Sequence, residues 1–147
     1  MKIYLAARYS RHAEMQQYAT DLEALGHTVT SRWIHGSHQV PDDGLRAEAS
    51  PELRQRFAQE DWSDLEAADV VISFTEPPRA SNSRGGRHVE FGAALAFGKV
   101  CVVIGPFENI FHCLEQVEVF GTWQEFLSGI PGPRPESEEG SWSPTPP

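Results

Sequence analysis

The chain has 147 residues, 39% hydrophobic and 22% charged, which suits one soluble globular domain with a real core. A formal charge of -9 argues against binding nucleic-acid polymers in general, because phosphate backbones need basic faces. No apolar run approaches the roughly 20 residues that cross a bilayer, so no membrane partner is expected.

Residues 2–6 read as a first strand, without the long apolar stretch of a signal peptide. Residues 11–25 read as a helix: Met15, Tyr18, Leu22 and Leu25 recur at three- and four-residue spacing, and Gly26 stands where a helix C-terminal glycine belongs. A second strand is expected over 27–33, then a polar, turn-rich loop over 36–50. Residues 51–67 read as a helix with Pro51 in its first turn. Residues 69–74 are almost wholly apolar, as in a parallel strand covered on both faces. A loop over 75–86 leads to a helix over 87–97 and another buried strand over 100–104. A short helical piece at 109–114, a strand at 117–119 and a last short helix at 122–127 complete the pattern. From residue 130 the chain is proline, serine, glycine and glutamate, which reads as a disordered tail and leaves 1–129 as the folded domain. The alternation predicts an α/β fold: a Rossmann-like or flavodoxin-like doubly wound parallel sheet in three layers. Cys101 reads as a small buried residue, and two cysteines make no disulfide framework, so a reducing, cytoplasmic setting is expected.

The residue that asks for a function is Glu90. It is a lone carboxylate in the small, apolar run from Val89 to Phe97, just after the glycine pair Gly85-Gly86. The order strand, loop, helix puts it at the carboxyl edge of a sheet, where open α/β sheets bind ligands. A charge on the buried side of a helix is costly unless something uses or pairs it. A placement in the first helical turn offers another account, by helix dipole or capping box, and the same dipole would keep the group ionised. Asp61 shares a helical face with Phe57 and Leu65, at the edge of an apolar stripe. Tyr4 lies inside the first strand, where a buried hydroxyl wants a partner. Gly92 to Lys99 imitates a phosphate-binding loop but fails it. Five residues separate Gly92 from Gly98 where four are needed, and Val100 stands where Ser or Thr must hold the metal. No Gly-x-Gly-x-x-Gly follows the first strand either, and two histidines near the second strand, His35 and His38, are weak evidence for zinc.

Taken together, Ile3-Tyr4-Leu5-Ala6, Asp61 eight residues before Asp69-Val70-Val71, Gly86-Arg87-His88-Val89-Glu90-Phe91-Gly92-Ala93-Ala94-Leu95-Ala96 and Gly98-Lys99 resemble the nucleoside 2-deoxyribosyltransferase family. That family includes relatives that hydrolyse 2'-deoxynucleoside 5'-monophosphates. The segments Gly105-Pro106-Phe107-Glu108-Asn109-Ile110-Phe111 and Phe120-Gly121-Thr122-Trp123 extend the likeness over roughly residues 1–128. The resemblance implies Glu90 as the nucleophile on C1' of a deoxyribose, Asp61 as the acid that protonates the departing base, and Tyr4 as the hydroxyl that holds the nucleophile. It implies no cofactor and no metal. It also implies a deoxynucleoside or deoxynucleotide as partner, transfer of the sugar to another base or to water, and a homo-oligomer.

Base recognition does not carry over, because residues 77–87 have no carboxylate. Arg79, Arg84 and Arg87 with Ser81 and Ser83 suggest instead an anion site beside the sugar, since arginines, hydroxyls and glycine amides such as that of Gly86 suit a phosphate. An exposed loop accounts for them equally well. Arg8 and Ser10, just past the first strand, could join that site, and Trp33 could stack a base or sit in the core. His88 is expected to shape the pocket or cap its helix, and Asn109 completes the substrate-binding set.

Overall fold

The computed structural model describes residues 1–36, 51–78 and 85–129. Strands β1 (Lys2–Ala6), β2 (Thr28–Val29), β3 (Val70–Phe74), β4 (Val100–Ile104) and β5 (Val117–Phe120) form one parallel sheet in the order β2-β1-β3-β4-β5. Helices α1 (His12–Ala24), α2 (Pro51–Ala67) and α3 (Gly86–Ala96) lie between the first four strands, and α4 (Trp123–Gly129) follows β5. The expected loop at 37–50, the arginine-bearing segment 79–84 and the tail from 130 lie outside the described residues.

Parallel strands in the middle of such a sheet are buried on both faces, and β3 is buried at all five positions. Side chains alternate between faces along each strand. On one face, Phe74 stacks on Tyr18 of α1 at 5.3 Å and lies 5.8 Å from Trp123 of α4, whose Nε1 donates to Asp21 of α1 at 2.9 Å. Tyr4 points to the other face, toward Asp61 of α2 and Glu90 of α3. Among the described residues, two helices on each face make the sheet doubly wound, as the alternation predicts.

Glycine sets two helix ends. Gly26 and Gly98 have φ of +90° and +70°, which L side chains rarely adopt. In each case the glycine and the residue after it close the last turn, with Gly98 N donating to Leu95 O and Lys99 N to Ala94 O. Lys99 then reaches across to the end of α2, donating to Glu66 O and Ala68 O.

Two expectations need correcting. The strand over 27–33 keeps only Thr28–Val29; Arg32–His35 coil into a 3-10 turn instead. Tertiary contacts override local propensity there: Arg32 donates from its backbone N and Nε to Asp64 at 3.0 Å, and Trp33 Nε1 donates to Leu5 O at 2.8 Å. Helix α3 begins at Gly86 rather than at 87, so Glu90 falls in its second turn and the first turn has no acidic residue. Helix-dipole and capping accounts of Glu90 apply to the first turn and do not reach it.

Candidate active site

Three polar side chains meet where β1 faces α2 and α3. Tyr4 is fully buried, and its hydroxyl makes no well-formed hydrogen bond among the described residues. Burial pushes its pKa well above 10, and the Glu90, Asp61 and Asp64 carboxylates push it further. Asp61 has one carboxylate oxygen withdrawn from solvent. Glu90 as a residue is half-buried, but its carboxyl is enclosed, and burial lifts its pKa from 4.5 to about 8. The Asp61 charge adds to that lift, and the Tyr4 hydroxyl facing the carboxyl partly offsets it, though the two stand outside full hydrogen-bond geometry. Among the described residues, no cation is among the groups that shift Glu90. Glu90 is therefore shifted toward its protonated form in the ligand-free protein. The cause is loss of water beside a second carboxylate.

Three residues earlier on α3, Arg87 meets the opposite surroundings. It is 4% exposed and grips Glu108 through both terminal nitrogens, at 2.5 and 2.6 Å. Glu108 also accepts from Glu76 N at 3.1 Å, and His88 Nε2 lies 3.4 Å from it. Against the cost of burial, those bonds hold Glu108 down at about 2. The pair ties the start of α3 to the loops after β3 and β4, both at the carboxyl edge of the sheet.

The nucleoside 2-deoxyribosyltransferase family profile matches residues 3–122, most of the chain. The chain belongs to that family. Solved structures share its fold. A 2-deoxyribosyltransferase from Bacillus psychrosaccharolyticus is 22% identical with a TM-score of 0.63, covering 86% of this chain and 90% of its own. A CMP N-glycosidase from Clostridium botulinum is 18% identical with a TM-score of 0.54, covering 87% of this chain and 96% of its own. Among curated proteins, no sequence matches this member of the family.

The other expected substrate-binding residues are dispersed. Arg87 is committed to Glu108 and is not available as a phosphate ligand, because its buried guanidinium already has a bidentate counter-charge. Trp33 is 5% exposed with its ring nitrogen bonded to Leu5 O, so it is a core residue rather than a stacking platform. Arg8 and Ser10 stand at the carboxyl edge beside the short 3-10 turn Tyr9–Arg11, with Ser10 exposed. Gly86 is exposed at the first position of α3. Ser83 and Arg84 lie outside the described residues.

His88 and Asn109 line a different feature. A groove of about 1010 Å³ runs along α3 past His88, Phe91, Gly92, Leu95 and Ala96, with Pro78, Glu108, Asn109 and Phe111 on its other walls. These α3 residues recur at three- and four-residue spacing on the flank away from Glu90. Asn109 accepts from Phe111 N at 3.0 Å, and its Nδ2 lies 3.4 Å from His88 Nδ1 and from His112 Nε2. Neither Tyr4, Asp61 nor Glu90 lines this groove. Among the described residues, no group of three His, Cys, Asp or Glu could hold a metal ion, and no helix is long and apolar enough to cross a membrane. Sequence reasoning missed Glu108, whose only signal was an acidic residue in the loop after a carboxyl strand end.

Proposed function

We propose that this protein cleaves the N-glycosidic bond of 2'-deoxynucleosides or their 5'-monophosphates through a covalent glycosyl-enzyme on Glu90, and passes the deoxyribose to another base. The supporting observation is the enclosed trio of Glu90, Asp61 and Tyr4, in a chain of this family. Glu90 and Asp61 lie close enough to perturb each other, and a pair that holds one proton serves both halves of the reaction.

With the proton on Asp61, the Glu90 carboxylate attacks C1'. The bond to the base breaks, its electron pair stays on the base nitrogen, and Asp61 delivers its proton to that base. The sugar passes through an oxocarbenium-like state that the Glu90 charge stabilises. In the second half a new base attacks C1', Glu90 leaves as carboxylate, and Asp61 takes up the proton that the incoming base sheds. Tyr4 holds the carboxylate and lowers its pKa, which favours the reactive form.

Intact-protein mass spectrometry after mixing with a 2'-deoxynucleoside tests this reading. The expected result is an added deoxyribosyl group mapping to Glu90, discharged by a second base. Rapid base release with no adduct at any time, or release unchanged in Glu90→Ala, overturns it. Water alone discharging the adduct as fast as a second base makes the protein an N-hydrolase.

A further inference from the structure

Ser73 is the one polar residue of β3, and it is fully buried among Val70, Val71, Ile72 and Phe74. Its Oγ is closed to solvent and has no hydrogen-bond partner among the described residues. Other buried hydroxyls here are used: Thr75 Oγ1 donates to Pro106 O at 2.6 Å, and Ser31 Oγ accepts from Leu5 N at 3.1 Å. A hydroxyl donates once and accepts twice, so an orphan inside a protein is a costly exception that calls for a cause.

Its position supplies one. Ser73 is paired in register with Ala6, and Tyr4 with Val71. Alternation puts Tyr4, Ala6, Val71 and Ser73 on one sheet face, the face that Asp61 and Glu90 cover. Ser73 stands two rungs nearer the carboxyl edge than Tyr4. The strand order β2-β1-β3-β4-β5 reverses direction between β1 and β3, which is where open sheets of this order leave a ligand crevice. The Ala6–Ser73 rung lies at that switch point, with both side chains closed to solvent in the ligand-free protein. Ala6 contributes only a methyl group, and Ser73 contributes a hydroxyl with its full bonding capacity free.

We propose that Ser73 is a sugar-binding residue: its hydroxyl exchanges a hydrogen bond with a ring hydroxyl of the pentose whose C1' faces Glu90. The assignment rests on the reading of Glu90 as nucleophile, because that is what brings a pentose over this rung. A donor-acceptor hydroxyl matches another hydroxyl, and a site built for one discriminates against analogues that lack it.

The test compares wild type with Ser73→Ala on three adenine nucleosides: the ribonucleoside, the 2'-deoxynucleoside and the 2',3'-dideoxynucleoside. The variant is expected to lose about tenfold in kcat/KM on substrates that carry the contacted hydroxyl and nothing on those that lack it. The pair of substrates between which the loss vanishes identifies 2' or 3'. The ligand-free variant is also expected to melt a few degrees higher, because the orphan hydroxyl is gone. Equal losses on all three substrates, or no loss on any, overturn the proposal. If wild type releases base from none of the three, from their 5'-monophosphates or from the counterparts with other bases, the Glu90 reading fails instead. Ser73 is then judged by thermal shift with free ribose and 2-deoxyribose: a shift seen in wild type and lost in Ser73→Ala upholds the contact, and identical shifts or none in either overturn it.

Discussion

Glu108 and Glu90 both contact the first two turns of α3, both are withdrawn from water, and their acidities move in opposite directions. Glu108 meets the Arg87 guanidinium and an amide, and its pKa falls to about 2. Glu90 meets Asp61 and Tyr4, with no cation among its perturbers in the described residues, and its pKa climbs to about 8. Burial raises both and is the main cause at Glu90, whereas at Glu108 the guanidinium and the amide outweigh it. A paired carboxylate anchors loops, whereas one left facing a second carboxylate stays poised to exchange a proton.

The sharpest way to break this contrast is to remove each glutamate in turn. Glu90→Ala should lower base release by at least about 10⁴-fold while the protein stays folded, as followed by free base in solution. Comparable loss on removing only Arg87 or Glu108 would mean that the two sites are not distinct. Asp61→Asn should cost about 10²- to 10⁴-fold through the missing proton donor. It should also move the acid limb of the kcat/KM profile to lower pH, because a like charge beside Glu90 is gone; an unmoved limb would place Asp61 too far away to matter.

Stability should respond in mirror image. Glu108→Gln leaves Arg87 buried without its counter-charge and should cost about 3–5 kcal/mol in urea denaturation. In the wild type, the depressed Glu108 contributes stability that is present above 4.5 and lost as pH falls toward 2. Glu90 has the reverse sign. Its raised pKa means that its contribution is intact below 4.5 and lost as pH rises to about 8. Glu90→Gln should therefore flatten the stability profile over that window and be the more stable protein at its upper end; identical profiles would show that Glu90 titrates normally. The smallest effect belongs to Tyr4→Phe, about tenfold in rate, with the acid limb moving to higher pH because the hydroxyl holds Glu90 down.

Much of the fold was legible because it is encoded locally. The apolar runs of β3 and β4 and the terminal glycines of α1 and α3 place their elements to within a residue or two. What was not legible depends on distant partners. Arg87 read as an anion ligand because Glu108 is 21 residues away, across a strand. Trp33 read as either core or platform until its ring nitrogen met Leu5 O on another strand. Glu90 stood out as one carboxylate in a run of small apolar residues, but its protonation depends on Asp61, which only the packing of α2 against α3 reveals. Ser73 gave no signal, since a single serine in an apolar strand is ordinary until its hydroxyl is found without a bond.

Trp62, directly after Asp61, meets the ring of Phe97 edge-on at 5.6 Å where α2 borders α3, and is 42% exposed. Trp33 and Trp123 are enclosed in the core. The indole at residue 62 is thus a native fluorophore at the seam that holds the two carboxylates together. The sequence has four tryptophans, so the part of the emission that disappears in Trp62→Phe is the part that should change when ligand or acid pries that seam apart.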